Sequence, residues 1–221
     1  MKFIPTVLEE SKEGFSKQLQ KLFPFFSYFQ IDVADGIFVD NKTVQIDAIN
    51  HELQQCNNVS MKQFVFDFDL MVKDYQPEIE KLQKLKTTIS IKNVLINFSL
   101  FPDLEKLTKQ YNFNFGLSIS PENTIDELKN KYPLDNLPSI QIMSIKLGKQ
   151  GNPFIPQALE KISQLRQAGY RSTIFLDGGV NGKTIPLILA ESYQPDVACI
   201  GSYLTKTDAL KNHIDYLQSI S

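Results

Sequence analysis

The sequence predicts an α/β fold in which eight strands alternate with helices, a (β/α)8 barrel built from residues 1–221 as one domain. Three observations carry that expectation. Short apolar runs rich in β-branched and aromatic residues recur along the chain, and amphipathic stretches of helical period separate them. The third is size: 221 residues, 42% hydrophobic and 22% charged, supply one core of barrel dimensions, with no linker or low-complexity tract to divide it.

Phe3 to Leu8 is the first predicted strand, and the stretch from Ser11 to Leu22 then places Phe15, Leu19 and Leu22 on one helical face. Tyr28 to Val33 is the second strand, followed by a helix from Thr43 to Gln55 whose stripe is Val44, Ile46, Ile49 and Leu53. The third strand is Phe64 to Asp69, and its helix follows Pro77. Val94 to Phe98, Phe113 to Ile119, Ile140 to Ile145, Thr173 to Leu176 and Val197 to Ile200 complete the strands. Helical stretches around Leu104, Ile125, Leu159, Ile188 and Leu217 separate them or close the chain. Around Ile125 the helix is expected to be short, because Asn130, Pro133 and Pro138 interrupt the pattern.

Charge and cysteine usage narrow the function classes. The formal net charge is -2 and the pI about 5.8, with no block of Lys or Arg on a periodic face, which argues against a nucleic-acid or membrane-surface binder. The apolar stretch after Met1-Lys2 is broken by Glu9, Glu10, Lys12 and Glu13, and no apolar run is long enough to span a bilayer. A cytoplasmic protein acting on a small molecule or another protein is expected. Cys56 and Cys199 lack CxxC partners and are expected to be buried thiols.

Two strand ends carry chemistry. Asp32 in Ile31-Asp32-Val33-Ala34-Asp35-Gly36 and Asp177 in Leu176-Asp177-Gly178-Gly179 each close an apolar run and precede turn glycines. A lone Asp there would simply cap the turn. Two such ends, far apart in sequence, point to a shared proton-transfer site at the mouth of a parallel barrel. The loops after the seventh and eighth strands, Gly178-Gly179-Val180-Asn181 and Gly201-Ser202, offer glycine amides and a hydroxyl to an anion. Ile145-Lys146-Leu147-Gly148-Lys149-Gln150-Gly151, after the sixth strand, adds two glycines and two cations. Three such loops in consecutive units point to a phosphorylated substrate.

These segments resemble the ribulose-phosphate 3-epimerase family over essentially the whole length. Ile31 to Asn41 is similar to that family's Asp-Val-Met-Asp-Gly segment running on to Phe-Val-Pro-Asn. Asp67-Phe68-Asp69-Leu70-Met71-Val72 resembles its third-strand motif, Gly116 to Pro121 its fifth-strand end, and Met143 to Phe154 its glycine-rich loop after strand six. Leu176 to Asn181 and Gly201-Ser202 match its last two signatures. The resemblance implies a TIM barrel of the ribulose-phosphate-binding type. It also implies interconversion of D-ribulose 5-phosphate and D-xylulose 5-phosphate, with Asp32 and Asp177 as paired acid and base at C3. Substrate would then lie against Thr6, Gly148, Lys149, Gln150, Gly151, Gly178, Gly179, Gly201 and Ser202. Thr6 stands for a family Ser and keeps its hydroxyl. A homo-oligomer is implied as well.

The departures concern the metal. Members of the family place a divalent ion between two His and two Asp, and the positions matching the His ligands are Gln30 and Asp69. The two histidines, His51 and His213, fall in predicted helices away from the strand ends, as surface or packing residues. Asp32 and Asp177 with Gln30 and Asp69 then form an oxygen-only set, which suits Mg2+ or Mn2+ better than Zn2+. A metal-independent enzyme with Lys146 as enediolate stabiliser is the alternative. Residues two apart on a strand share a face, so Gln30 with Asp32, and Asp67 with Asp69, are expected to point together into the mouth beside Asp177. Besides the epimerase, two readings fit these residues: another phosphosugar isomerase or epimerase, and a phosphosugar-binding barrel without turnover. Two opposed carboxylates have no evident use in a pure binder.

Overall fold

Eight parallel strands close on themselves in sequence order, β8 returning to pair with β1. The structure, a computed structural model, describes residues 1–54, 61–147 and 151–220. The strands are β1 (Lys2–Val7), β2 (Tyr28–Ala34), β3 (Val65–Met71), β4 (Ser90–Asn97), β5 (Asn114–Ile119), β6 (Ser139–Met143), β7 (Thr173–Asp177) and β8 (Val197–Ile200). Among the described residues the helices are α1 (Lys12–Leu22), α2 (Ile46–Gln54), α3 (Gln76–Leu85), α4 (Leu104–Gln110), α5 (Ile125–Lys131), α6 (Ala158–Gln167), α7 (Ile185–Leu189), α8 (Ser202–Thr205) and α9 (Leu210–Ser219). This is the (β/α)8 barrel the sequence predicts. None of these helices is long and apolar enough to cross a membrane.

Every residue of β2 is buried, because alternate side chains meet two different cores. Phe29, Ile31 and Val33 face out to the helical layer with Phe15, Leu19 and Leu22 of α1. Burying each such side chain contributes on the order of 2 kcal/mol. Tyr28, Gln30 and Asp32 share the other period, toward the barrel interior. The interior floor is a small apolar cluster of Ile4, Tyr28, Phe175, Val197 and Cys199, and polar groups stand above it. Cys199 is buried, as expected, whereas Cys56 and Gln55 lie outside the described residues.

β4 begins at Ser90, not at the expected Val94, and two other elements depart from the predicted bounds where side chains are engaged in tertiary hydrogen bonds. The helix expected from Thr43 begins at Ile46. Thr43 Oγ1 accepts the Ala34 N–H at 2.9 Å and donates to the Asp32 carbonyl at 3.0 Å, while Gln45 Nε2 donates to the Ala34 carbonyl at 2.9 Å. These contacts hold the chain extended and fix the end of β2. The sixth strand, expected to reach Ile145, stops at Met143. Beyond it the Ser144 N–H turns to the Asp177 carbonyl at 2.7 Å and its Oγ donates to the Gly178 carbonyl at 2.6 Å, tying the β6 loop to the end of β7. The helix at Ile125 is short, as expected: a capping box between Thr124 and Glu127 starts it, and Pro133 follows its end.

Candidate active site

Register brings the first two carboxylates together. In the β2–β3 ladder Asp32 is the direct partner of Asp69, so their side chains are lateral neighbours on the interior face. Asp177, the last residue of β7, completes a trio with one oxygen from each carboxyl within 4.8 Å of the others. All three are buried, Asp69 completely, while Asp32 and Asp177 keep 5% and 7% exposure at the pocket floor.

Burial raises all three carboxyl pKa values, and repulsion within the trio adds to it for Asp32 and Asp69. Desolvation comes first for Asp32, then the charges of Asp177 and Asp69, and it rises well above the ordinary range against the Gln30 hydrogen bond. Asp69 rises well above the range for the same reasons, with Asp177 as the repelling charge. Burial pushes Asp177 up to about 7, opposed by the Gly178 N–H. Asp69 Oδ1 is left without a hydrogen-bond partner. Crowded anions and an unpaired buried oxygen fit a divalent cation, and the three carboxylates are the residues that would hold it.

Above the trio lies a pocket lined by Asp32, Asp177, Thr6, Gly151, Gly178, Gly179, Gly201 and Ser202. Met71, Met143, Ile145, Leu147 and Val180 form its apolar wall. Residues singled out on β1, β2, the β6 loop, β7 and the start of α8 thus share one cavity. Gly148, Lys149 and Gln150 lie outside the described residues. Lys146 is exposed and lines an adjoining groove with Phe38, Asp40, Ser99, Ser120 and Asn152. His51 sits on α2, and His213, on α9, stacks on Tyr203 at 3.8 Å and bonds its carbonyl oxygen.

Two placements differ from the expected set. Asp67 faces the interior but lies a layer below the mouth, where it accepts from the Tyr28 hydroxyl and from Asn93 N–H and Nδ2 at 2.9 and 2.8 Å. The β3–β4 register shifts beside it, so the carboxylate takes an amide that the ladder would otherwise use. Gln30 sits under Asp32 with its amide nitrogen donating to Asp32 Oδ1 at 3.1 Å, and its oxygen accepts from Cys199 Sγ at 3.3 Å. It is a hydrogen-bond partner of the trio.

Sequence reasoning missed Gln141, whose Nε2 donates to Asp69 Oδ2 at 2.9 Å. Its signal was available: a lone amide among Ile140, Ile142 and Met143, two residues before Met143, shares that residue's face. Ser144 was missed too, and nothing in a serine at a strand end announces a bond to the β7 loop.

Gly178 and Gly179 have φ of +109° and +68°, conformations that L side chains avoid. A Cβ on Gly178 would lie 2.5 Å from Ile145 Cγ1, and one on Gly179 would lie 3.1 Å from Phe154 Cβ. The glycines therefore let the β6 loop lie against the β7 loop at the pocket rim. Gly178→Ala combines strain with overlap, so it should cost more than about 1 kcal/mol and lower the melting temperature by several degrees. An unchanged thermal melt would contradict this packing.

Comparison with known proteins fits this geometry. Ribulose-phosphate 3-epimerase of Helicobacter pylori (strain 26695) is 26% identical, the alignment covering 100% of this chain and 98% of that one. The enzyme of the same name from Methanocaldococcus jannaschii is 25% identical, covering 86% and 78%. Among solved structures, 3-hexulose-6-phosphate synthase from Salmonella typhimurium superposes with a TM-score of 0.64 at 13% identity, covering 100% and 98%. KGPDC from Streptococcus mutans in complex with D-R5P gives 0.69 at 10%, covering 98% and 95%. At such identities these two show the fold alone. The sequence profile of the ribulose-phosphate 3 epimerase family matches residues 2–204, nearly the whole barrel with its acidic trio, and the chain belongs to that family.

Proposed function

We propose that the protein is a sugar-phosphate 3-epimerase that interconverts D-ribulose 5-phosphate and D-xylulose 5-phosphate. The observation that carries this reading is the meeting of Asp32 and Asp177, from separate barrel strands, at the floor of one pocket rimmed by glycine loops. C3 of the substrate lies beside the C2 ketone, so loss of its proton gives an enediolate, and return of a proton to the other face inverts the centre. One carboxylate takes the proton and the other, as the acid, delivers one; the roles exchange in the reverse direction. Raised and interacting pKa values support a shared proton within the trio near neutral pH.

Asp32, Asp69 and Asp177 would hold a divalent cation, Mg2+ or Mn2+ by their oxygen-only chemistry, which when bound would supply positive charge against the enediolate oxygens. The Gly178, Gly179 and Gly201 amides with the Ser202 hydroxyl would take the phosphate, joined by Gly148 to Gly151 of the β6 loop. Thr6 Oγ1, buried at the pocket without a partner, is suited to a substrate hydroxyl. A homo-oligomer belongs to this reading by family membership. So does a cytoplasmic location, supported by a 24% identical relative named as a cytoplasmic isoform.

Incubation with ribulose 5-phosphate and Mg2+ or Mn2+ should yield xylulose 5-phosphate, and unphosphorylated ribulose should neither bind nor turn over. Carbon-13 NMR of the mixtures, with calorimetry for binding, checks both expectations. Binding of ribulose as tight as that of its phosphate would refute the phosphate site, and no conversion with either ion would refute the activity.

A further inference from the structure

Beneath the pocket each carboxylate of the trio receives a neutral donor. Gln30 Nε2 donates to Asp32 at 3.1 Å, Gln141 Nε2 donates to Asp69 at 2.9 Å, and the Gly178 N–H serves Asp177. A carboxylate only accepts, so Gln30 must turn its nitrogen to Asp32. That turn leaves Gln30 Oε1 facing Cys199, whose thiol donates to it at 3.3 Å, and the amide is fixed from both ends. Both glutamines are fully buried. A Lys or Arg in either place would neutralise a carboxylate; an amide orients it and leaves its charge in place. Each amide engages one oxygen, Asp32 Oδ1 and Asp69 Oδ2, and so fixes the rotation of its carboxylate within the trio, with Asp69 Oδ1 left unpaired.

We infer that Gln30 and Gln141 are positioning residues that set the affinity of the acidic trio for a divalent cation, with Cys199 holding Gln30 in its working orientation. The inference rests on the cation reading given above. It assigns the metal affinity to three carboxylates held in place by two amides, with Gln30 outside the ligand set.

Titration calorimetry of the full chain with MnCl2, after chelator treatment, provides the test. Gln30→Met and Gln141→Met keep side-chain length and remove the donor. Each should weaken Mn2+ binding at least tenfold, the range expected when a ligand's supporting hydrogen bond is lost. Turnover should show a lower kcat with little change in KM for the phosphorylated sugar, since the phosphate loops are untouched. Cys199→Ser, which retains a donor, should keep the wild-type Mn2+ affinity, and Cys199→Val should lose part of it. Thermal melts of the metal-free variants report folding, and Gln141→Met on β6 carries the test alone if Gln30→Met does not fold. Wild-type protein that takes up no Mn2+ refutes the cation reading itself. Wild-type binding with equal affinity in the folded glutamine variants overturns this inference and leaves that reading standing.

Discussion

Asp32→Asn and Asp177→Asn should each slow epimerisation by a factor on the order of 10^2 or more, the usual consequence of losing a positioned acid or base. Asparagine keeps the size and hydrogen-bonding reach of the side chain but neither takes nor gives a proton at this step. The same changes should raise the stability of the metal-free protein at pH 8, because each removes a buried acid whose ionisation the crowded trio opposes. Activity and stability thus move in opposite directions, which a mere packing defect would not produce. Initial rates and thermal melts of the two variants check both halves. A rate within a few-fold of wild type for either variant would remove that residue from the proton-transfer pair.

Acidity should act on the metal-free fold in an unusual direction. Asp32, Asp69 and Asp177 all have folded-state pKa values above those of an unfolded chain, which lie near about 4. The folded protein therefore binds more protons than the unfolded chain in that window. The corresponding stability is fully present below about pH 4 and is lost as pH rises through the raised folded-state values of the trio, about 7 for Asp177. Carboxyls with lowered values, such as Asp35 held by backbone N–H groups against its burial, change stability only at more acid pH. Between pH 5 and 8, in chelator, the melting temperature should fall. Mn2+ replaces the protons and should raise the melt far more at pH 8 than at pH 5. At a hundred times its dissociation constant it contributes about 2.7 kcal/mol, several degrees in a chain of this size. A chelator-treated melt that rises steadily from pH 5 to 8 would contradict the crowded-acid geometry.

The strand–helix alternation was legible because barrel strands are buried on both faces and read as apolar runs, while α1 carries a clear stripe and α2 an imperfect one. Element ends were less so. Thr43, Gln45 and Ser144 serve hydrogen bonds to strand ends remote in sequence, and local pattern carries no trace of those partners. Asp32 and Asp177 stood out because turn glycines follow each one. The depth of Asp67 did not, since period two tells which face a residue takes but not which layer it fills. The direction of the Gln30 amide depends on Cys199, 169 positions away, and the role of Gln141 depends on Asp69, 72 positions away. Such pairings follow from barrel closure. Lys146 read as a candidate from its neighbours in the chain, yet the course of the loop sets it in the adjoining groove.

Proton transfer at C3 by the carboxylates of this pocket can be observed atom by atom. The protein, incubated with ribulose 5-phosphate and Mn2+ in D2O and quenched before equilibrium, should yield xylulose 5-phosphate bearing deuterium at C3, read by NMR after metal removal and by mass spectrometry. Asp32→Asn and Asp177→Asn should suppress that incorporation along with product formation. Deuterium at C1 instead of C3, or none at all while the sugar phosphate still binds, would contradict epimerisation and leave a different phosphosugar reaction or a binding role for the same barrel.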